Sequence, residues 1–431
     1  MFRTGGPAKV GDGAEFFNHL STPGETVPFR SRGDWVQDTG MTSAPDPAAV
    51  LVLYHRANTF GGSFNSVIDV LARVDRNRFT PIASVPGAGN VADRLHDLGI
   101  PVLFCQDRPG GRSRAYAAAV AKFSWLLRRR RIRLVYVSDY VTWRSAASFA
   151  ARVSRIPRVV HVRAPLAGNA TDPELLHASM VVGNSRASIE ALKDRLPECR
   201  RRVVYNFVDF SRFTPGPDRR ADWFPERPPV VGFVGIFRPE KGIEYFLEMA
   251  RLIRSHRPDV RFLAVGGESA VADVGWFEKM RAYAHDLGLD DVMRFTGSRD
   301  DVPDLMRSMD VLVVPSLAEG FGRVIVEANA VGVPVVGADA AGIPEVVEPD
   351  VTGALVPPRD PGAMARAVMS MLDNQAWRAR VRESAPTRVR LRFSEETQMA
   401  ALQRAWDDAL HPQPSTRVLP PTNRPQASHD V

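Results

Sequence analysis

The chain has 431 residues, of which 44% are hydrophobic and 24% are charged. These fractions are typical of globular proteins and exclude collagen-like and wholly disordered chains. The net charge of +7 divides into +14 for residues 49–215 and −6 for residues 229–385, which suggests that two halves of the chain meet different partners.

Targeting signals and cysteines indicate the compartment. No apolar run approaches the roughly 18 residues that a membrane-spanning helix needs, and the first residues lack the apolar segment of a signal peptide. Only two cysteines are present, too few for a disulfide framework. We therefore expect a protein of the reducing cytoplasm.

Short apolar strands alternate with amphipathic helices along most of the chain. In chain order, the first half has predicted strands at 50–54, 82–85, 102–104, 134–137, 159–162, 180–182 and 203–205, and helices at 63–73, 91–98, 114–130, 143–155 and 186–195. The second half has predicted strands at 230–234, 261–265, 292–295, 311–314 and 333–336, and helices at 243–256, 276–287, 303–309, 323–330 and 362–372. A last helix is predicted at 394–410, with Ser394 as its N-cap.

The alternation predicts two doubly wound, Rossmann-like α/β domains with parallel sheets that face a cleft, because continuously apolar strands are typical of sheets covered on both faces. Ligands bind such sheets at the carboxyl ends of the strands. The predicted units are a disordered extension at 1–48, an N-terminal domain at 49–215, a linker at 216–228, a C-terminal domain at 229–385, a helical segment at 386–410 that packs back on the N-terminal domain, and a disordered tail at 411–431.

Three features of the first half are candidates for binding. Gly61 and Gly62 open a helix, whose free N–H groups can bind an anion. His161 ends the strand at 159–162, although a structural histidine is the alternative. Arginines 128–131 and 133 close a helix, which indicates either favourable cations at its C-terminus or a patch for anionic lipids. No nucleic-acid partner is expected, because aromatic interleaving and a known binding motif are missing.

In the second half, the strand at 230–234 leads through Gly235 into a turn that carries Arg238 and Lys241. Both cations can project over the strand end, where a diphosphate would need neutralising; ordinary turn charges are the alternative. The sequence G-x-G-x-x-G of dinucleotide-binding folds and the Walker sequence are both absent, which disfavours a dehydrogenase.

The segment EGFGRVIVE at 319–327 follows the strand at 311–314. Gly320 and Gly322 allow close approach of the backbone to a ligand. If both were helical, Glu319 and Glu327 would lie about 12 Å apart, within about 80° of one face, which suits a nucleotide diphosphate-sugar; one capping and one exposed glutamate is the alternative. No metal or other cofactor is expected, because metal-ligand spacings of Cys and His are absent.

With these motifs in order, the chain resembles glycosyltransferase family 4, a group of retaining, nucleotide-sugar-dependent enzymes with the GT-B fold. The resemblance covers about residues 50–410 and is densest in the second half. The matching segments are VVYNFVD at 203–209, RPEKG at 238–242, EGFG with the E-x7-E pair at 319–327, AVGVPVV at 330–336, GIPE at 342–345 and the glycine pair at 61–62.

The resemblance implies the site residues and their roles. Four residues would be catalytic, namely Arg238, Lys241, Glu319 and His161. The donor site would contain Gly61, Gly62, Gly235, Gly320, Phe321, Gly322, Val324 and Glu327. The two cations would bind the diphosphate, Glu327 the ribose hydroxyls and Glu319 the donor sugar. His161 would contact the sugar or the departing phosphate. Catalysis would then depend on cationic stabilisation of the leaving group, without a metal ion.

The sequence therefore predicts a retaining glycosyltransferase that moves a hexosyl-type sugar from a nucleotide diphosphate-sugar to a lipid, polysaccharide or small-molecule acceptor. UDP is the expected base by frequency. Two alternatives remain, a nucleotide-sugar 2-epimerase of the same architecture and a non-catalytic sugar-nucleotide-binding module. We expect a cytoplasmic role in cell-envelope or polysaccharide biosynthesis, with peripheral contact between the basic half and the inner face of an anionic membrane.

Overall fold

The computed structural model describes residues 46–58, 62–107, 113–138, 145–166, 172–268 and 274–412. Seven parallel strands form the sheet of the N-terminal half: β1 Ala48–Leu53, β2 Phe79–Val85, β3 Val102–Phe104, β4 Leu134–Val137, β5 Arg158–Val162, β6 Met180–Gly183 and β7 Arg201–Val203. Six parallel strands form the sheet of the C-terminal half: β8 Val230–Val234, β9 Arg261–Val265, β10 Met293–Phe295, β11 Val311–Val314, β12 Val335–Ala338 and β13 Gly353–Val356.

Helices cover both sheets. The N-terminal half contains α1 Gly62–Arg73, α2 Asn90–Asp97, α3 Ser113–Arg129, α4 Ala146–Val153, α5 Pro173–Leu176 and α6 Arg186–Ile189. The rest of the chain contains α7 Ile243–His256, α8 Trp276–Asp286, α9 Val302–Arg307, α10 Arg323–Ala330, α11 Pro361–Asp373, α12 Gln375–Arg392 and α13 Glu395–Leu410.

The strand orders are β3-β2-β1-β4-β5-β6-β7 and β10-β9-β8-β11-β12-β13. In each sheet the order reverses beside the first strand, so each has a topological switch point where ligands bind in doubly wound folds. Alternate residues of β1 enter different core layers: Val50 and Val52 pack on one face, Leu51 and Leu53 on the other, as the two-residue period of a strand requires. The predicted pair of doubly wound domains is confirmed.

The chain passes from the N-terminal half into the C-terminal half earlier than the sequence indicates. Phe207 packs in the core of the N-terminal half, whereas Val208 and Phe213 pack in the core of the C-terminal half. The predicted boundary at 215/216 is therefore several residues late. The predicted boundary at 385/386 falls inside α12, and Phe393 beyond it is still part of the C-terminal core.

After Phe393 the chain returns to the N-terminal half through α13. Met399, Leu402 and Trp406 are buried in the same core layer as β1 and β2. The ring of Trp406 lies 5.1 Å from the ring of Phe79, in an edge-on arrangement that favours aromatic pairs. Helix α13 is therefore a structural part of the half that begins the chain.

The terminal predictions can be compared with the structure only in part. Residues 1–45 and 413–431 lie outside the described residues, and Ala48, predicted to belong to the extension, is the first residue of β1. Among the described helices, none combines the length and the apolar character that crossing a bilayer would take.

Candidate active site

The candidate site lies where β8 and β11 end side by side. Residues 238–242 form a turn after β8, and Gly242 in this turn has a φ of 68°. A Cβ atom on Gly242 would lie 2.3 Å from the carbonyl oxygen of Pro315, so only glycine permits this close approach and this backbone conformation. The backbone N–H of Leu317 also donates to the carbonyl of Glu240 at 2.9 Å. The turn is thus packed against the loop at 315–322.

This packing brings together two of the predicted catalytic residues. The ammonium of Lys241 forms an ion pair and hydrogen bond with the carboxylate of Glu319, and the two side chains are 28% and 17% exposed. Arg238 lies in the same turn, with its guanidinium 3.0 Å from Glu240. A partly exposed ammonium that is held by a carboxylate can exchange that partner for the phosphate oxygens of a ligand.

Glu327 lies in the second turn of α10, whereas Glu319 precedes the helix. The separation of about 12 Å inferred from helical spacing therefore does not apply, because only one of the two glutamates is helical. The guanidinium Nε of Arg323 donates to Glu327 at 3.0 Å, and its Nη1 donates to Asp69 of α1 at 2.6 Å. Glu327 is thus linked through one arginine to the opposite half.

The three charges of this link are held together in a partly buried position. Burial alone would lower the pKa of Arg323, but the carboxylates of Glu327 and Asp69 outweigh it, and the pKa is raised. The arginine is therefore charged and fixes the orientation of the Glu327 carboxylate. Arg323 and Asp69 belong to no recognised motif, and the four-residue spacing of Arg323 and Glu327 on a helix is the one sequence signal of their link.

Gly320 lies where the loop at 315–322 meets the end of β5. A Cβ atom at this position would be 2.0 Å from the carbonyl oxygen of Arg163, so a side chain cannot be accommodated without separating the two backbones. The side-chain amide of Asn184 donates to the same oxygen at 3.1 Å. The two halves are therefore in direct backbone contact beside Glu319.

Glu345 makes a further contact between the halves. Its carboxylate accepts hydrogen bonds from the backbone N–H groups of Arg186 and Ala187, at 2.9 and 2.8 Å, where α6 begins. The hydroxyl of Tyr205 donates to the same carboxylate at 3.1 Å. These bonds satisfy N–H groups that the start of a helix leaves free. Glu345 lies in the GIPE segment at 342–345, whose sequence alone did not indicate this contact.

His161 lies near the end of β5, beside the guanidinium of Arg163. It is 2% exposed, and its Nδ1 is 2.6 Å from the hydroxyl oxygen of Tyr136 and 3.2 Å from the guanidinium of Arg163. Burial lowers the pKa of His161 well below its ordinary value, and Arg163 lowers it further, so the ring is neutral at pH 7. His161 and Ser66 line the same small cavity, and the Ser66 hydroxyl accepts a hydrogen bond from Arg323 at 3.3 Å. The predicted contact of His161 with the sugar or phosphate stays a prediction.

The glycines predicted for the donor site have different settings. Gly61 lies outside the described residues. Gly62 is the exposed first residue of α1, and its carbonyl accepts a hydrogen bond from the Ser66 hydroxyl at 2.7 Å. Gly235 follows β8, where its carbonyl is in close contact with Gly266. These two glycines lie at helix and strand ends, as the fold requires.

The last predicted donor-site residues surround the start of α10. Gly322 is the N-cap residue of this helix, and the half-buried Val324 lies in its first turn. Phe321 is buried, with ring centroids 5.8 Å from Tyr205 and 5.2 Å from Phe393. The Phe321 side chain therefore anchors the loop, and only its backbone is available to a ligand. No group of three or more potential metal ligands occurs in the described part of the chain.

Comparison with known families identifies the C-terminal half. Residues 217–388 match the family model described as "Glycosyl transferases group 1". The C-terminal half is therefore similar to group 1 glycosyl transferases. The matched stretch contains the turn at 238–242, the loop at 315–322 and helix α10, and so includes the ion pair of Lys241 and Glu319.

Curated relatives match half of the chain or less. A D-inositol 3-phosphate glycosyltransferase of Corynebacterium kroppenstedtii is 34% identical over 228 residues, which are 50% of this chain and 49% of that protein. A protein of the same name from Mycobacterium sp. is 39% identical over 175 residues, 39% of each chain. The chain thus spans about half the length, or less, of these curated relatives.

Solved structures resemble the whole described fold. HepE of Anabaena in complex with UDP has a TM-score of 0.72 at 24% identity, covering 84% of this chain and 100% of that one. A glycosyltransferase of Rickettsia africae has a TM-score of 0.74 at 16% identity, covering 86% and 100%. At these identities the likeness establishes the fold, which is the GT-B arrangement of two Rossmann-like domains.

Proposed function

We propose that this protein is a retaining glycosyltransferase that takes its sugar from a nucleotide diphosphate-sugar without a metal ion. The observation that carries the proposal is the pairing of Lys241 with Glu319 where β8 and β11 end, next to the helix that holds Glu327. A leaving diphosphate gains negative charge as the glycosidic bond breaks, and a fixed cation stabilises that charge. The similarity of the matched half to group 1 glycosyl transferases supports the same reaction.

The contacts suggest how the donor would be held. Its diphosphate would take the ammonium of Lys241 from Glu319, with Arg238 as the second cation. The released carboxylate of Glu319 would accept hydrogen bonds from hydroxyls of the donor sugar, and Glu327, oriented by Arg323, would accept those of the ribose. UDP is the first base to test, because structures of HepE contain UDP and UDP-glucose. His161, which lines a small cavity together with Ser66 and Arg163, would contact the sugar or the departing phosphate.

The acceptor would bind the N-terminal half, which completes the cleft. The names of the curated relatives place D-inositol 3-phosphate first among acceptors to test. Such a compound combines ring hydroxyls with a phosphate, and the N-terminal half, with its excess of arginine, provides cations for the phosphate. Product analysis distinguishes this reaction from the epimerase alternative. A transferase forms a glycosylated acceptor, whereas an epimerase forms an isomerised nucleotide-sugar.

The donor site is tested by thermal unfolding in EDTA with UDP-, GDP-, ADP- and dTDP-sugars. One donor class is expected to raise the unfolding temperature, because ligands that bind only the folded state stabilise it. Glu327→Ala is expected to lower the affinity for that donor about 10- to 100-fold, because the donor loses a charged hydrogen-bond partner. Glu278→Ala, an exposed carboxylate on α8, is the control. Stabilisation by none of the donors, or an unchanged affinity in Glu327→Ala, would contradict the proposal.

We also propose that the end of α3 makes peripheral contact with anionic membranes. Trp125 is 62% exposed and lies under the guanidinium of Arg129, 5.6 Å from ring centroid to Cζ. Exposed tryptophan beside arginine is suited to a lipid headgroup region. We expect the protein to sediment with vesicles containing phosphatidylserine and not with phosphatidylcholine alone, and Trp125→Ala to reduce the bound fraction severalfold. Equal sedimentation with both vesicles would refute this contact.

A further inference from the structure

A buried polar cluster lies on one face of the first sheet, where β4 and β5 end. Tyr136 of β4 is 0% exposed, His161 of β5 is 2% exposed, and Arg163, directly after β5, is 5% exposed. His161 and Arg163 are two residues apart, so their side chains leave the strand on the same face. Val159 of β5 and Tyr136 pack in the core layer of that face. The three side chains therefore form one cluster.

The guanidinium of Arg163 fixes the roles of its neighbours. Its Nε donates to the carbonyl of Ser138 at 2.8 Å, and its Nη1 donates to the side-chain oxygen of Asn206 at 3.0 Å. Its Nη2 donates to the hydroxyl oxygen of Tyr136 at 3.3 Å and lies 3.2 Å from Nδ1 of His161. Because a guanidinium has donors only, Nδ1 of His161 is an acceptor in this contact.

The same conclusion follows from the contact with Tyr136, whose hydroxyl oxygen lies 2.6 Å from Nδ1 of His161. A nitrogen without a proton can only accept, so the tyrosine hydroxyl donates to it. A neutral imidazole then carries its proton on the other nitrogen, Nε2. Burial and the charge of Arg163 lower the pKa of His161, so the ring does not take up a second proton at pH 7. Nε2 is therefore the one donor of this ring.

The surroundings of Nε2 lead towards the other half of the chain. This nitrogen is buried and has no hydrogen-bond partner among the described residues. His161 lines a cavity of about 10 Å³ together with Ser66 and Arg163, a volume that suits a single water molecule or one oxygen atom of a ligand. The Ser66 hydroxyl accepts from Arg323, and the carbonyl of Arg163 touches the backbone at Gly320. The cavity thus lies beside two contacts with the donor-site loop and helix.

We propose that Tyr136 and Arg163 are positioning residues that fix His161 as a hydrogen-bond donor to an oxygen atom of the bound nucleotide-sugar. The ligand contact rests on the proposed glycosyl transfer, whereas the fixed tautomer rests on the cluster alone. Nδ1 is occupied by two donors and Nε2 already carries a proton, so neither nitrogen can take a proton from the acceptor. The ring therefore stabilises the ligand by donation and does not act as a general base.

The tautomer is measured on the full chain without ligand, by ¹⁵N NMR of the histidine ring nitrogens, whose shifts distinguish protonated from unprotonated nitrogen. His161→Gln identifies the resonances. We expect the proton on Nε2 from about pH 6 to pH 8, the range in which an ordinary histidine changes its charge. Tyr136→Phe should move the Nδ1 resonance, because it removes the donor while keeping the buried ring. A protonated Nδ1, or an unmoved resonance in Tyr136→Phe, overturns the proposal.

Tyr116→Phe is the matched control, because this tyrosine packs in the core layer on the opposite face of the sheet. It should leave both His161 resonances in place. In steady-state assays, Tyr136→Phe is expected to lower kcat about tenfold, the value of one hydrogen bond, with donor affinity within a few fold. Tyr116→Phe should leave kcat unchanged. A kcat of Tyr136→Phe equal to that of this control would contradict the positioning role.

Two substitutions of His161 separate donation from proton removal. The amide of His161→Gln can replace the Nε2 donor, so we expect it to retain at least tenfold more activity than His161→Ala, for which a loss of about 100-fold in kcat is expected. Equal losses in both variants would refute donation as the role of this ring. Absence of turnover in the unaltered protein with every nucleotide-sugar would refute the proposed glycosyl transfer, whereas the tautomer is decided by the spectra alone.

Discussion

Lys241→Ala is expected to reduce turnover of the nucleotide-sugar about 100- to 1000-fold, because the removal of one preorganised group that stabilises developing charge costs that much. The fold should persist, since the Lys241 side chain is partly exposed and its ion pair is with Glu319. The variant also leaves the Glu319 carboxylate without its cation, next to an incoming diphosphate. Part of the loss will therefore appear as weaker donor binding, and the larger part as a lower kcat.

The control is Lys279→Ala on α8 of the same half, where the ammonium lies over the ring of Trp276 at 4.4 Å. It removes one positive charge from the C-terminal half without touching the ion pair. Steady-state assays of both variants, with far-UV circular dichroism for the fold, give the comparison. A kcat of Lys241→Ala within threefold of that of the unaltered protein would contradict the role of this ammonium.

Gly320→Ala is expected to lower kcat about 100-fold while donor affinity stays within a few fold. The added methyl would lie 2.0 Å from the Arg163 carbonyl oxygen and 3.0 Å from the Asn184 side chain, both on the opposite half. The clash therefore opposes the approach of the two halves and not the folding of either one. A displacement of about 1 Å between reacting groups can cost that much in rate.

Gly87→Ala is the matched control, because a Cβ atom there would have no neighbour within 4 Å. Donor binding is followed by thermal unfolding, and turnover by product formation under saturating donor. Loss of donor affinity equal to the loss of turnover would indicate that Gly320 acts through the ligand and not through the contact between halves. Unchanged turnover would show that the backbone contact is dispensable.

The elements with strong patterns could be predicted from the sequence. Short apolar runs located β4, β8, β9 and β11 to the residue, because such runs between helix-length segments are typical of buried parallel strands. Helix α12 was missed, since it is rich in arginine and contains Pro386, which normally interrupts a helix. Strand β13 was missed as well, because GALV at 353–356 is short and begins with glycine.

The candidate site was predicted in its composition but not in its connections. Sequence motifs identified Lys241, Glu319 and Glu327 as candidates. The separation predicted for the two glutamates was wrong, because Glu319 precedes α10 and is not helical. The strand-end pattern located His161 but not its burial beside Tyr136, and its role stays a prediction. The link through Arg323 depends on contacts between distant segments, which one sequence does not reveal.

The return of α13 has a consequence for synthesis on the ribosome. Domains usually fold as they emerge, the N-terminal one first. Here the C-terminal core is complete at Phe393, whereas the N-terminal core still lacks Met399, Leu402 and Trp406 at that point. The nascent chain therefore finishes the core of its second domain before that of its first, and the first sheet keeps part of one apolar face uncovered until residues 399–406 have been added.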